Sequence, residues 1–448
     1  NLLEDAQRFS VEASMRGEGM RRIRDMVPLA PHVGYLETLR KKLATTHRGQ
    51  LAPQVCVDIA EHALKSSFDE SVEYGRERFR ELVVSPQAAA LRHAFFAERV
   101  ATKPQGLPKA DERVHTAGVV GGGTMGVGIA LCLLNAGIAV TLVEQSESVL
   151  AVAKQNIQKV FDSDLDKARI TSAVRQQRID ALSTSLDYQS LSNCDVVIEA
   201  VFEEMELKRK VLAQIEMNVR PDTIVATNTS YLNLDELAEG MARPENVVGM
   251  HFFSPAHIMK LLENVRGAKS SPSVLANIQA LGKRMGKVSV LVGVSEGFVG
   301  NRMLSRRARE CYFLLEEGAL PDQIDRVLFE FGFPMGQFQL NDLAGLDVAW
   351  RARQGRLSRL SDRERANGIL DELVVARKRL GQKSGAGIYQ YDAQRQRSVD
   401  PEVSELIERE SLRLGFKRRA ISDDEIRERC LYVLINEGAK ILEEGVAT

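Results

Sequence analysis

His251 is the residue whose neighbours best suit acid–base chemistry in this 448-residue sequence. It directly follows the apolar run Val247–Met250, and Glu263 lies on the next apolar stretch, Lys260–Val265. Histidine exchanges a proton near neutral pH, and a carboxylate beside its ring orients the ring and stabilises the imidazolium. If the two runs pair as strands, they predict a general base that takes the proton of an alcohol.

The other six histidines have weaker surroundings. Five lie in or beside the helical N-terminal part and one lies in a loop: His32, His47, His62, His93, His115 and His257. A packed or surface role is the alternative for His251 as well. A second alternative is acyl hydrolysis by Ser230 and His251, but Ser230 does not lie in the G-x-S-x-G turn that exposes a hydrolase serine.

A glycine pattern near residue 120 suits a dinucleotide. Gly121, Gly123 and Gly126 form G-x-G-x-x-G directly after the apolar run Val114–Val120. Such glycines allow a tight turn and close backbone approach to a pyrophosphate at the N-terminus of the following helix. The pattern predicts a dinucleotide site, with a flavin site or a glycine-rich turn that binds nothing as the alternatives.

Glu144 ends the second predicted strand, 21 residues beyond Gly123. A carboxylate at this position can accept hydrogen bonds from the hydroxyls of the adenosine ribose. It would also repel a 2′-phosphate, so the sequence favours NAD over NADP.

Strands and helices that alternate along the chain must position these residues. Short apolar runs alternate with helical segments from residue 114 onwards, which predicts βαβ units and a parallel sheet. The predicted strands are Val114–Val120, Ala139–Val143, Cys194–Val201, Thr223–Ala226, Val247–Phe253 and Lys287–Val292. Residues 1–100 have a helical, charged pattern, and residues 101–113 form a linker with two prolines and a glycine. After Val294, Asn301–Glu317 and Asp322–Phe331 predict helices of an all-helical domain.

An internal repeat is visible at an offset of 127 residues. It aligns Arg302 with Arg429 and Glu310 with Glu437, and it aligns the pentapeptides LLEEG and ILEEG. Chance alignment of two amphipathic helices is the alternative. If the repeat is real, we expect the last domain to be cut short, and the Asn at position 1 suggests a fragment at the other end too.

The composition excludes several function classes. Lys and Arg number 60 and Asp and Glu 61, so the net charge of −1 predicts no nucleic acid and no anionic membrane as a global partner. The five cysteines form no C-x-x-C pair, which favours reduced thiols and no metal site. The 28 uncharged residues from Thr116 to Val143 contain seven glycines, which argues against a membrane span.

Eight stretches follow one another in an order and spacing typical of a single family: Val119–Gly128 (VVGGGTMGVG), Glu199–Lys208 (EAVFEEMELK), Thr227–Leu232 (TNTSYL), Gly249–Glu263 (GMHFFSPAHIMKLLE), Gly297–Arg302 (GFVGNR), Gly332–Gly336 (GFPMG), Asp342–Asp347 (DLAGLD) and Gly381–Tyr389 (GQKSGAGIY). They resemble the L-3-hydroxyacyl-CoA dehydrogenase family, in the multifunctional form of fatty-acid β-oxidation that carries an N-terminal enoyl-CoA hydratase/isomerase domain. The resemblance covers residues 114–395 in full.

The resemblance implies four segments. Residues 1–105 are the helical tail of a crotonase-type hydratase/isomerase domain plus a linker helix, and residues 114–295 are a Rossmann-type NAD-binding domain. Residues 296–395 are an all-α C-terminal dehydrogenase domain, and residues 396–448 are the truncated start of a second helical domain. The crotonase-type core is absent, so hydratase activity is not expected of these residues.

The implied function is NAD-dependent oxidation of an L-3-hydroxyacyl-CoA to a 3-oxoacyl-CoA, in a full-length protein that also carries enoyl-CoA hydratase activity. By position, His251 resembles the catalytic base and Glu263 its acidic partner, while Ser230 and Asn301 resemble residues beside the substrate. The implied cofactor contacts are Gly121, Gly123, Thr124, Met125, Gly126, Glu144, Val201, Phe202, Glu203, Lys208, Ser230, Ser254 and Lys383.

Partners and location also follow from the resemblance. We expect an acyl-CoA substrate and either a homo-oligomer or a β-oxidation complex with a thiolase. A bacterial protein of this kind would be cytoplasmic, and a eukaryotic one peroxisomal or mitochondrial. The alternative to an enzyme is a catalytically impaired fragment that serves as a binding or scaffold part of such a complex.

Ser254 departs from the family pattern HFFNP, because this sequence reads HFFSP. Serine keeps a donor and an acceptor on a shorter arm, and one well-placed hydrogen bond is worth roughly 0.5–1.5 kcal/mol, about tenfold in rate at most. We therefore expect Ser254→Asn to raise kcat/KM by up to about tenfold. Steady-state kinetics would measure this, and an unchanged kcat/KM would contradict it.

Overall fold

The computed structural model describes residues 1–17, 22–29, 31–111, 114–354 and 368–448, which form two compact units, 1–97 and 98–448. The first unit is built from helices: α1 (Leu2–Met15), α2 (Tyr35–Thr46), α3 (Leu51–Ala63), α4 (Phe68–Val83) and the start of α5 (Pro86–Ala101). Local chemistry sets their ends. Ser67 and Glu70 form a reciprocal capping box that satisfies free backbone N–H groups at the start of α4.

An eight-stranded sheet forms the centre of the first half of the second unit, in the order β3-β2-β1-β4-β5-β6-β7-β8. Its strands are β1 (Thr116–Val120), β2 (Ala139–Val143), β3 (Leu182–Ser185), β4 (Val196–Glu199), β5 (Ile224–Thr227), β6 (Val247–Phe252), β7 (Leu261–Arg266) and β8 (Val288–Gly293). Strands β1 to β6 are parallel in the Rossmann order, which places the carboxyl ends of β1, β4, β5 and β6 at one edge.

Helices cover both faces of this sheet: α6 (Thr124–Asn135), α7 (Glu147–Asp166), α8 (Ser172–Asp180), α9 (Met205–Asn218), α10 (Leu234–Ala238) and α11 (Pro272–Arg284). Along β4, Val196 and Ile198 join the cluster that contains α6 and α11, whereas Val197 joins the cluster that contains α9. Because the central strands β1, β4, β5 and β6 are buried on both faces, their sequences read as largely apolar runs, which is why these runs were visible in the sequence.

Two features of the sheet differ from the sequence predictions. Strand β7 is antiparallel to β6, and the short connection of residues 253–260 makes the two a hairpin. Strand β3 lay outside the predicted strands, since its sequence LSTS contains a single large apolar residue. It lies at the edge of the sheet and pairs only with β2 among the described strands, so it needs fewer apolar contacts.

The rest of the second unit is largely helical, with α12 (Gly300–Glu317), α13 (Pro321–Phe331), α14 (Gln337–Ala344), α15 (Leu346–Gln354), α16 (Gly368–Asp371), α17 (Pro401–Arg413) and α18 (Asp423–Glu443). This confirms the expected fold class with one correction. An antiparallel hairpin of β9 (Tyr389–Tyr391) and β10 (Arg397–Val399) interrupts the helices. Strands of three residues are too short to show a period of two in the sequence.

Helices α12 and α18 carry the two copies of the internal repeat and pack against each other. Arg302 of α12 pairs with Glu437 of α18 at 2.6 Å, and Arg429 of α18 pairs with Glu310 of α12 at 2.6 Å. Because the repeat relates Arg302 to Arg429 and Glu310 to Glu437, each pair is the counterpart of the other. This reciprocity favours a true repeat over a chance alignment.

Candidate active site

The β6–β7 hairpin brings His251 and Glu263 together. The two residues are directly opposite each other in the antiparallel register, and His251 Nδ1 lies 2.7 Å from Glu263 Oε2. Only 2% of His251 and 1% of Glu263 is exposed. In such a buried site a charge-assisted hydrogen bond holds the ring in one orientation. The strand pairing on which the sequence argument depended is therefore present.

A helix N-terminus holds the other oxygen of Glu263. Glu263 Oε1 accepts hydrogen bonds from the backbone N–H of Val299 at 3.0 Å and of Gly300 at 2.8 Å, where α12 begins. A Cβ atom at Gly300 would lie 2.8 Å from the ring of Phe253, so a larger residue here would require this ring to shift. Asn301 is the next residue of α12 and lies half-buried beside this contact.

Aromatic rings surround the imidazole. The ring centroid of His251 lies 4.5 Å from that of Phe253 and 5.5 Å from that of Phe298, which is fully buried. These rings exclude water from one side of the pair, which strengthens the electrostatic interaction within it. The histidine nearest in sequence, His257, has a lowered pKa because it is partly buried and lies near the Lys287 ammonium.

The glycine-rich turn has the backbone that a bound pyrophosphate requires. Gly121 has a φ of 112°, and a Cβ at Gly126 would lie 1.8 Å from the Gly121 carbonyl oxygen. A Cβ at Gly123 would meet nothing within 4 Å, and no side chain caps the helix that begins at Thr124. The uncapped N-terminus of α6 and the exposed Gly123, which together we call the phosphate cradle, fit a dinucleotide phosphate, and Met125 beside them is half-buried.

Glu144 lies beside this cradle at the end of β2. Its Oε2 accepts a hydrogen bond from Gly122 N–H at 2.7 Å, and its Oε1 accepts one from Gln145 N–H at 2.8 Å. Both oxygens are thus held next to the glycine turn, although the side chain is only partly buried. This position fits a carboxylate that accepts hydrogen bonds from the ribose hydroxyls of NAD.

Replacing Glu144 with Ala tests this placement. Loss of the charge removes the repulsion of a 2′-phosphate, so we expect the NAD-to-NADP ratio of kcat/KM to fall by about tenfold or more. Glu147→Ala is the matched control, because Glu147 is an exposed carboxylate at the start of α7 and should leave the ratio unchanged. An unaltered ratio in Glu144→Ala would argue against a ribose contact.

A buried ion pair lies at the end of β4. Lys208 is fully buried, and its ammonium donates to both oxygens of Glu199 at 2.8 and 3.0 Å. Val201 N–H and the Thr227 hydroxyl donate to the same carboxylate at 2.7 and 2.6 Å. Lys208, expected at the cofactor, thus has Glu199 as its partner. Glu199 was not among the predicted site residues, because a single charge inside an apolar run does not indicate its partner.

The loops after β4 and β5 meet through Glu203. One oxygen of this exposed carboxylate accepts hydrogen bonds from the Thr229 hydroxyl at 2.6 Å and the Ser230 N–H at 2.7 Å. Phe202 beside it is 85% exposed, which leaves its ring free for a ligand. The omitted Asn228 ties this loop to β6, since its Oδ1 accepts a hydrogen bond from Phe252 N–H at 2.8 Å.

The last two expected cofactor contacts lie on the β6–β7 hairpin loop and in the C-terminal helical part. Ser254 is exposed in the hairpin loop after β6, where a cis peptide bond joins it to Pro255. Lys383 is exposed in a short turn after α16, and its ammonium pairs with the Asp347 carboxylate of α15. The ion pair gives Lys383 a partner that the sequence pattern did not indicate.

Comparisons with known proteins identify the family. Residues 116–295 match the family model described as 3-hydroxyacyl-CoA dehydrogenase, NAD binding domain, and residues 297–391 match that of the C-terminal domain. The chain is 39% identical to the peroxisomal bifunctional enzyme of Danio rerio over 100% of its own length and 64% of the relative. It is 34% identical to the fatty acid oxidation complex subunit alpha of Vibrio vulnificus over 92% of its own length and 57% of the relative.

A solved structure covers the dehydrogenase part. The (S)-3-hydroxybutyryl-CoA dehydrogenase of Ralstonia eutropha has a TM-score of 0.59 and 34% identity, over 62% of this chain and 99% of that one. In the part of the chain that the structure describes, no helix has the length and apolar character needed to cross a membrane. The chain spans about three fifths of the length of these two curated relatives. The matched family models and relatives show that it belongs to the 3-hydroxyacyl-CoA dehydrogenase family.

Proposed function

We propose that this chain oxidises an L-3-hydroxyacyl-CoA to a 3-oxoacyl-CoA with NAD as the oxidant. The observation that carries the proposal is the buried His251–Glu263 pair, in which Glu263 is held at once by the imidazole and by the N-terminus of α12. A pair of this kind suits removal of a hydroxyl proton at neutral pH.

The hydrogen bond to Glu263 indicates which ring nitrogen of His251 takes the substrate proton. Glu263 as a carboxylate only accepts hydrogen bonds, so His251 Nδ1 carries the proton that it donates to Oε2. His251 Nε2 then has a free lone pair and takes the proton of the substrate hydroxyl. Glu263 stabilises the imidazolium that forms, and it needs no movement because α12 already holds its second oxygen.

NAD supplies the hydride acceptor when it is bound. We propose that the turn of Gly121, Gly123 and Gly126, with Thr124 and Met125, holds its pyrophosphate, and that Glu144 holds its adenosine ribose. The remaining proposed contacts lie on the loops after β4, β5 and β6 and in the C-terminal helical part: Val201, Phe202, Glu203, Lys208, Ser230, Ser254 and Lys383.

Ser230 and Asn301 are the proposed substrate contacts. Ser230 is anchored through its backbone to Glu203, which leaves its hydroxyl available, and Asn301 lies in the first turn of α12 beside the anchor of Glu263. Both carry the short polar groups that orient a substrate oxygen.

Reduction of acetoacetyl-CoA by NADH, followed by the loss of NADH absorbance, tests the proposal. We expect turnover that is saturable in both substrates and, in the reverse direction, oxidation of the L but not the D enantiomer of 3-hydroxybutyryl-CoA. Binding of NADH without any turnover would favour the alternative of a scaffold fragment.

For the whole protein, we propose the four segments 1–105, 114–295, 296–395 and 396–448, and an enoyl-CoA hydratase activity in addition to the dehydrogenase. Two relatives support the additional activity, because one is named a peroxisomal bifunctional enzyme and the other a subunit of a fatty acid oxidation complex. A homo-oligomer, or a complex with a thiolase, is proposed on the same ground. The proposed location is peroxisomal or mitochondrial in a eukaryote and cytoplasmic in a bacterium.

A further inference from the structure

Lys287 is a buried cation next to the active-site hairpin. It directly precedes β8, and only 8% of the residue is exposed. Among the described residues, none of its side-chain hydrogen bonds goes to a carboxylate. Burying an ammonium group costs free energy unless its hydrogen bonds are satisfied in the interior. The partners of Lys287 therefore indicate what it stabilises.

Those partners are two backbone carbonyls of the hairpin loop, which we define as residues 253–260. The Lys287 ammonium donates to the carbonyl oxygen of Ala256 at 2.5 Å and to that of Met259 at 2.7 Å. Within the loop, the N–H groups of Ile258 and Met259 both donate to the Pro255 carbonyl at 3.0 Å. The ammonium thus closes a compact turn through charge-assisted hydrogen bonds, which are the stronger kind.

The same loop packs on α6, the helix that begins in the glycine-rich turn. Cys132 Sγ donates to the Ala256 carbonyl at 3.3 Å, so this oxygen has two partners from different elements. A Cβ atom at Gly128 would lie 2.9 Å from the Ala256 Cβ, which shows how closely helix and loop approach. Lys287 therefore holds the loop in contact with the helix that begins the proposed cofactor site.

We propose that Lys287 is a positioning residue that fixes the hairpin loop between the cofactor helix α6 and the His251–Glu263 pair. The loop joins the strands of His251 and Glu263, and it carries Ser254. A displacement of about 1 Å at a reacting group lowers the rate by about 10²-fold, so a loosened loop has a catalytic cost. The inference rests on the proposed dehydrogenase function, but the loop geometry also has a test without turnover.

The kinetic test compares Lys287→Met with a matched variant, Arg284→Gln. Arg284 is also a cation that binds backbone carbonyls, those of Val114 at 2.6 Å, just before β1, and of Ala136 at 3.2 Å, just after α6. Well below the melting temperature, we expect Lys287→Met to lower kcat by about 10- to 100-fold. Lys287→Arg should recover part of the loss, and Arg284→Gln should keep kcat within about twofold of the wild type while lowering Tm.

A kcat of Lys287→Met within twofold of the wild type overturns the inference. So does an equal loss of kcat in Arg284→Gln, because the effect would then come from general destabilisation. If Lys287→Met does not fold, Lys287→Gln, which keeps a shorter donor, enters the same comparison.

Hydrogen exchange of the loop amides separates this inference from the proposed function. We expect the amides of Ile258 and Met259 to exchange at least tenfold faster in Lys287→Met, with the β6 amides unchanged. Unchanged loop exchange overturns the inference whatever the activity. Faster exchange in a protein whose wild type does not reduce acetoacetyl-CoA supports the inference and rejects the proposed function.

Discussion

Replacing His251 with Gln is expected to lower kcat for acetoacetyl-CoA reduction by about 10²- to 10⁴-fold, the range that a general acid–base group contributes. Glutamine fills a similar volume and can still hydrogen-bond to Glu263, but it does not exchange a proton at neutral pH. The affinity for NADH, measured by fluorescence, should change by less than about threefold, because the imidazole contributes to proton transfer rather than to the phosphate cradle.

His115→Gln is the control for this experiment. His115 is an exposed histidine just before β1, at the edge of the sheet opposite the carboxyl ends of the strands. We expect its kcat to equal that of the wild type. If His251→Gln kept near-wild-type turnover, another group would have to carry the proton, and the proposed mechanism would be wrong.

The second large effect is expected from Glu263→Gln. The site presents donors to both oxygens of Glu263, namely His251 Nδ1–H on one side and the N–H groups of Val299 and Gly300 on the other. An amide has only one accepting oxygen, so either the contact with α12 is lost or the NH₂ group faces Nδ1. In the latter case the imidazole proton moves to Nε2, which then has no lone pair for the substrate proton.

We therefore expect Glu263→Gln to lower kcat by about 10²-fold or more, and to reduce the free energy of unfolding by about 1–3 kcal/mol for the unsatisfied buried group. Stopped-flow or steady-state NADH kinetics and thermal unfolding measure the two effects separately. A variant with full activity and a lowered Tm would show that Glu263 has only a structural role.

Asp342→Asn is the matched control for the stability effect. Asp342 is another buried carboxylate that accepts backbone hydrogen bonds, from Ile388 N–H at 2.9 Å and Tyr389 N–H at 3.0 Å. Burial raises the pKa of its carboxyl group. Its replacement should lower Tm to a similar extent, while kcat measured at low temperature stays within about twofold of the wild type.

The fold was largely predictable because its central strands are buried on both faces. Apolar runs such as Ala139–Val143, which contains one hydroxyl side chain, therefore appear in the sequence, and the observed β2 has the same bounds. The edge strand β3 has few buried neighbours and left no such signal, and the three-residue strands β9 and β10 are too short for one. The strength of each signal thus follows the extent of apolar burial.

Candidate site residues were predictable where the residue type itself carries the signal. The spacing of Gly121, Gly123 and Gly126 reflects a backbone requirement, which holds whatever surrounds the turn. Glu199 and Lys287 were missed, because a single charge beside an apolar run does not reveal its partner. Their partners lie on other elements, and only the packed chain brings them together.

What the sequence alone determined is the chemistry available to this protein: a glycine turn for a phosphate, an acidic residue beyond the second strand, and a histidine and a glutamate on neighbouring apolar runs. These features follow from local backbone and side-chain properties. The tertiary structure decided the rest: the antiparallel register that sets His251 opposite Glu263, the α12 N-terminus that holds the carboxylate, and the ammonium of Lys287 beneath the hairpin loop. These contacts join residues on different elements, 12 to 37 positions apart in the sequence, so local properties alone do not reveal them. Burial makes them necessary, because a polar group inside the folded chain needs a hydrogen-bond partner.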